Sequence, residues 1–118
     1  MPETALHDLD AYEAALAAHP LVLLFKHSPV CPISAAAHRA YAAWRARTPD
    51  APTLSVDVLA DRPVARGIAD RCGIKHESPQ AILFARGEPC WHASHGAITE
   101  EALDAAWRAA AARRSAPR

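Results

Sequence analysis

Leu21-Val22-Leu23-Leu24-Phe25-Lys26-His27-Ser28-Pro29-Val30-Cys31-Pro32-Ile33-Ser34 changes character twice along its length. Leu21 to Phe25 is an unbroken apolar run, the pattern of a strand buried on both faces. It is far too short to cross a bilayer. His27-Ser28-Pro29-Val30 reads as a loop that ends at Cys31. Pro32 suits the first turn of a helix, where its missing N–H costs nothing. Ile33, Ala37, Ala40, Tyr41 and Trp44 then continue one apolar helical face to about Arg47. A cysteine therefore stands where a strand has ended and a helix begins.

Upstream, Leu6, Leu9, Tyr12 (or Glu13) and Leu16 recur at helical spacing, and Pro20 closes that segment. Downstream, Pro49 to Pro52 break the chain. Thr53 to Leu59 alternates, with Leu54, Val56 and Val58 on one face, as a second strand does. Asp61 suits an N-cap for a short helix carrying Val64 and Ile68, which Gly73 ends. Lys75-His76-Glu77-Ser78 is a polar loop leading to Pro79. Ala81 to Ala85 is a third strand, Arg86-Gly87-Glu88 a hairpin turn, and Pro89 to Ala93 a fourth strand, with Pro89 pointing to an edge. Thr99 caps a last helix carrying Leu103, Trp107 and Ala110. Trp44, Trp91 and Trp107 read as packing aromatics. Strands and helices alternate and a hairpin follows, which predicts an α/β fold: one mixed four-stranded sheet with helices on both faces.

The chain has 118 residues, the size of one compact domain spanning 1–118, with 113–118 expected as a flexible tail. Lysine plus arginine equals aspartate plus glutamate at 13 each, so net charge points to neither nucleic acid nor an anionic membrane. Met1-Pro2-Glu3-Thr4 has no basic segment before an apolar run, so a secretory signal is not expected. Three cysteines, an odd number without framework spacing, fit a cytoplasmic setting.

Free N–H groups and the positive end of the helix dipole stabilise a thiolate at the first turn. Cys31 is thus the candidate nucleophile, since the thiolate attacks in thiol–disulfide exchange. The plainer alternative is a buried core cysteine; Ser28, Pro29 and Pro32 favour a loop. Ser34 stands where a dithiol enzyme keeps its second cysteine, so no disulfide closes across this turn. Its hydroxyl suits donation to the Cys31 sulfur, or it is an ordinary first-turn serine. His27 either favours the thiolate or is a polar strand-end residue. A cis Ser78-Pro79 bond would turn the Ser78 backbone toward a substrate; the commoner alternative is a trans proline opening a strand. Cys72 and Cys90 read as small buried hydrophobes. Cys72 is the better candidate for a resolving cysteine, because its loop leads toward Pro79. His92 and His95 read as distant from Cys31, and with Cys90 they supply too few ligands for zinc.

Phe25-Lys26-His27-Ser28-Pro29-Val30-Cys31-Pro32-Ile33-Ser34 resembles the active-site segment of the monothiol bacilliredoxins, the YtxJ-like group. Gly73-Ile74-Lys75-His76-Glu77-Ser78-Pro79-Gln80-Ala81-Ile82 is similar to their second signature, and Trp91-His92-Ala93-Ser94-His95 and Ile98-Thr99 fit the same pattern. The resemblance implies a thioredoxin-like fold with strand order 2-1-3-4. It implies a Cys-Pro-x-Ser site in which Cys31 takes bacillithiol from mixed disulfides on client proteins, with Pro32, Ser34 and His27 in support. Pro79 would be the cis-proline facing Cys31, and Ser78 with it would contact substrate. Bacillithiol would be co-substrate with no bound cofactor or metal, and a flavin-dependent disulfide reductase a possible further partner. Two other classes remain open at this stage. Monothiol glutaredoxins that carry iron–sulfur clusters also pair cysteine with serine, although glycine follows their cysteine and Pro32 stands here. A thioredoxin-fold binding module without redox turnover is the third.

Overall fold

The computed structural model describes residues 3–29 and 32–115; Val30 and Cys31 lie outside them. Five strands form one sheet: β1 (Glu3–Ala5), β2 (Leu21–His27), β3 (Thr53–Asp57), β4 (Gln80–Ala85) and β5 (Glu88–Ser94). Their order is β1-β3-β2-β4-β5. The pairings of β1 with β3 and of β3 with β2 are parallel, whereas β4 runs antiparallel to both β2 and β5. The four strands expected from sequence keep the order 2-1-3-4, and β1 adds a fifth at the β3 edge. Three residues are too few to show alternation, which is why sequence periodicity passes over β1.

Four helices cover the sheet: α1 (Leu9–Ala18), α2 (Pro32–Arg47), α3 (Arg62–Cys72) and α4 (Glu100–Ser115). Because side chains alternate along a strand, β2 divides its apolar run between two cores. Val22 and Leu24 join Leu54, Val56, Ile82 and Phe84 beneath α1 and α3, with Tyr12 and Ile68. Leu21, Leu23 and Phe25 join Ala81 and Leu83 beneath α2 and α4, with Tyr41, Trp44 and Leu103. Trp91 and Trp107 pack against this second core, as expected of them.

Several boundaries move for local reasons. Leu6 precedes α1; its N–H bonds to the Ser55 carbonyl at 2.8 Å, so it extends the edge instead of starting a helix. Asp57 ends β3 two residues early, because its carboxylate accepts the N–H groups of Leu59 and Ala60 at 2.9 and 3.1 Å. Asp61 occupies the N-cap position of α3 without a side-chain cap bond; its carboxylate meets His7 at 3.1 Å. Thr99 does cap α4, accepting from Ala102 N at 3.1 Å. Arg86 and Gly87 turn the hairpin with φ of 54° and 81°, both in the left-handed region that a two-residue turn of this twist requires. Helix α4 continues through Ser115, into the stretch expected to be tail.

Candidate active site at the end of strands β2 and β4

Strand β2 runs past Phe25 to include Lys26 and His27. Lys26 pairs with Gln80 across the β2–β4 ladder. One residue further along each strand stand His27 and Pro79. The described parts of the two segments that sequence singles out, His27 to Pro29 and Lys75 to Pro79, therefore meet at one end of the sheet. The Ser78-Pro79 bond is cis. Pro79 is buried, and its carbonyl accepts the His95 N–H at 3.0 Å. Among the described residues the Ser78 backbone has no backbone hydrogen-bond partner.

Cys31 itself, the expected nucleophile, lies outside the described residues. The chain on either side of it is held together. Ser34 is 1% exposed, and its Oγ accepts the Ser28 N–H at 2.9 Å. That bond ties the loop before Cys31 to the first turn of α2, and it leaves the Ser34 hydroxyl hydrogen free to donate elsewhere. Pro32 heads α2, as its fixed φ suits.

His27 is half-buried. Its ring stacks on Phe25 with centroids 5.8 Å apart, and lies 5.8 Å from the His38 ring. Burial lowers its pKa; the neighbouring Asp57 opposes that shift and His38 adds to it. The imidazole is thereby held mostly neutral near pH 7. His27, Ser28, Pro29, Ser34, Ala35, His38 and Arg39 line a depression of about 390 Å³. His38 and Arg39 are the members that sequence reading misses; on α2 they look like ordinary exposed polar positions, and only the loop's path makes them neighbours of His27.

Lys26 is the other omission. It is 0% exposed, and its Nζ lies 3.1 Å from Nδ1 of His76, in the loop before Pro79. No carboxylate pairs with it among the described residues. Burial lowers its pKa to about 8. His76 is shifted down as well, first by burial and then by the Lys26 charge. A lysine ending a buried run was the available signal. Around it Gln80 is buried, giving an Nε2 hydrogen bond to the Lys75 carbonyl at 3.0 Å, while Gln80 Oε1 and Ser78 Oγ are buried without partners among the described residues.

The remaining candidates are placed otherwise. Cys72 ends α3, half-buried against the core on the sheet face opposite α2. Cys90 is exposed, contrary to the expected burial, because β5 is an edge strand and Cys90 shares its outward face with Glu88 and His92. His95 is not remote from the Pro79 loop: besides its backbone bond to Pro79, its Nε2 lies 3.2 Å from Glu77. Among the described residues no three His, Cys, Asp or Glu side chains converge as metal ligands. No described helix is long and apolar enough to cross a membrane.

A parallel-then-antiparallel sheet between two helical layers, with a cis-proline beside the strand-to-helix junction, defines a protein of the thioredoxin fold. One solved structure, described as a candidate oxidoreductase with a thioredoxin fold, is 33% identical with a TM-score of 0.83, covering 88% of this chain and 92% of that one. The oxidised mitochondrial thioredoxin 3 of Saccharomyces cerevisiae is 15% identical with a TM-score of 0.72 over 90% and 93% of the two chains. A thioredoxin variant from Halobacterium salinarum is 19% identical with a TM-score of 0.73 over 91% and 88%. Residues 4–103 match the family of the monothiol bacilliredoxin BrxC, and the chain belongs to that family. It is a thiol oxidoreductase of the bacilliredoxin type.

Proposed function

We propose that the chain removes bacillithiol from mixed disulfides on client proteins, with Cys31 as nucleophile. The observation that carries this reading is the junction of β2 and α2. Ser34 binds back to Ser28 there, which fastens the described residues before Cys31 onto the first turn of the helix after it. Helix N-termini favour the thiolate.

The Cys31 thiolate attacks the bacillithiol sulfur. The new bond joins Cys31 to bacillithiol, the client–bacillithiol bond breaks, and the client leaves as thiolate and takes a proton from water. Ser34 offers no second sulfur within the motif. A second bacillithiol therefore attacks the adduct, releasing Cys31 thiolate and a bacillithiol disulfide, which a flavin-dependent reductase returns to thiol. Ser78 and Pro79 form the wall against which the client's extended segment rests, and Pro32 and His27 support the sulfur. A cytoplasmic setting accords with this chemistry, which needs a reducing pool.

Mass spectrometry after treatment with a bacillithiolated client peptide tests it. The expected product carries one bacillithiol on Cys31, and Cys31→Ala carries none and releases no client thiol. An adduct confined to Cys72 or Cys90, with Cys31 unmodified, overturns it. A Cys31–Cys72 disulfide as the end product would instead make Cys72 the resolving residue and remove the need for a second thiol.

A further inference from the structure

The depression beside Ser28 has a one-sided chemistry. Arg39 makes no ion pair among the described residues, and no carboxylate lines the depression among them. The closest acids are already engaged: Asp57 by the Leu59 and Ala60 N–H groups, and Glu3 by the Tyr41 hydroxyl. The lining offers a guanidinium, two imidazoles and two hydroxyls, all able to donate hydrogen bonds. Its volume, about 390 Å³, is that of a small-molecule site. In sequence it flanks Cys31 closely on both sides, with Pro29 before it and Ser34 after it.

We propose that this depression binds a carboxylate group of the low-molecular-weight thiol that Cys31 captures, with Arg39 and the His27 and His38 imidazoles as its donors. The proposal rests on the exchange reading above and deepens it: the site selects its thiol by negative charge. A compact pocket whose lining flanks Cys31 in sequence suits the tail of a small thiol better than an acidic client segment, which would need a longer groove. Arg39 supplies the permanent charge, and guanidinium recognises carboxylate through paired N–H donors. The covalent step is unchanged. Cys31 sulfur bonds to the sulfur of the small thiol, the client sulfur leaves as thiolate, and the bound carboxylate stays intact.

Two mixed disulfides of one client peptide test this, one with 3-mercaptopropionate and one with 3-mercaptopropionamide. They are nearly isosteric, differ by one charge and release the same client thiol. N-acetylcysteine as attacking thiol gives the intrinsic ratio of rates. The full-length protein is expected to exceed that ratio in favour of the acid by roughly three- to tenfold, the range of one charge-assisted contact at a solvent-exposed site. Arg39→Gln is expected to bring the ratio down toward the intrinsic value, Arg39→Lys to restore part of it, and added sodium chloride to shrink it. An enzyme ratio equal to that of N-acetylcysteine overturns the proposal, as does a preference that persists in Arg39→Gln combined with His38→Ala. If both compounds load Cys31 equally, only the charge-selective pocket falls. If neither loads Cys31, the exchange reading itself falls.

Discussion

Lys26 is a burden on stability carried by one residue. An ammonium with no carboxylate partner among the described residues, enclosed by β-sheet and loop, loses its hydration, and a single neutral imidazole replaces little of it. The fold thus prefers the neutral amine, and the pKa falls from the ordinary 10.5 to about 8. Between those values the unfolded chain holds the proton and the folded chain does not. Stability therefore rises as pH goes from about 8 to 10.5, and that gain is lost again on the way down. Lys26→Met keeps the length of the side chain and removes the charge. It is expected to raise stability at pH 7 by about 2 kcal/mol, somewhat under the full shift, and to abolish the rise above pH 8. Urea unfolding of both proteins at pH 7, 8.5 and 10 checks this; parallel pH profiles would disprove it. Ser34→Ala is the converse case. It leaves the half-buried Ser28 N–H without its acceptor and is expected to cost about 1 kcal/mol in the same unfolding measurement. Ser34 and His27 were singled out in the sequence because they adjoin the cysteine. Lys26 was not, since a lysine after five apolar residues reads as the point where a strand leaves the sheet, and only its Gln80 and Val56 neighbours keep it inside.

At the scale of elements, legibility followed the strength of local signals. Helix α2 begins at Pro32 and ends at Arg47, as the proline and the apolar face indicated. Helix α3 ends where Gly73 takes φ of 76°, with its N–H on the Ala69 carbonyl. A Cβ at Gly73 would meet no atom within 4 Å, so any cost of adding one is conformational and not steric contact with a neighbour. Gly73→Ala is accordingly expected to destabilise by about 1 kcal/mol, read as a lower thermal midpoint, while thiol exchange continues. A loss much larger than that would mean the left-handed cap holds the 75–79 loop as well as the helix. What sequence could not give were contacts that act across distance in the chain. The Asp57 side chain cuts β3 short, and β1 exists only because β3 offers it a parallel edge. Cys90 is exposed because it shares the outward face of the edge strand β5 with Glu88 and His92.

Across the whole molecule, the sheet brings the end of β2 and the loop before β4 together, and each carries a histidine whose pKa is lowered. For His27 the leading cause is burial, reinforced by His38 against the pull of Asp57. For His76 it is burial, followed by the charge of Lys26. Each folded value lies below the ordinary 6.5, so on acidification the unfolded chain takes up protons first. Both contributions are intact above pH 6.5 and decline as pH falls from there through the folded values. Acid should consequently loosen this end of the sheet before the far end, where the β4–β5 turn meets Pro20. Amide exchange at pH 7.5 and pH 5.5 resolves this region by region. The expected result is a selective loss of protection at pH 5.5 in residues 26–29 and 74–80, with the strand interiors of β3 and β4 unchanged. His27→Phe preserves the stack on Phe25 without a titrating group. It should restore protection in the β2 segment only, because His76 answers to Lys26 across a different face of the sheet. Uniform loss over the whole chain, or no loss near either histidine, would show that the two imidazoles do not govern the acid response.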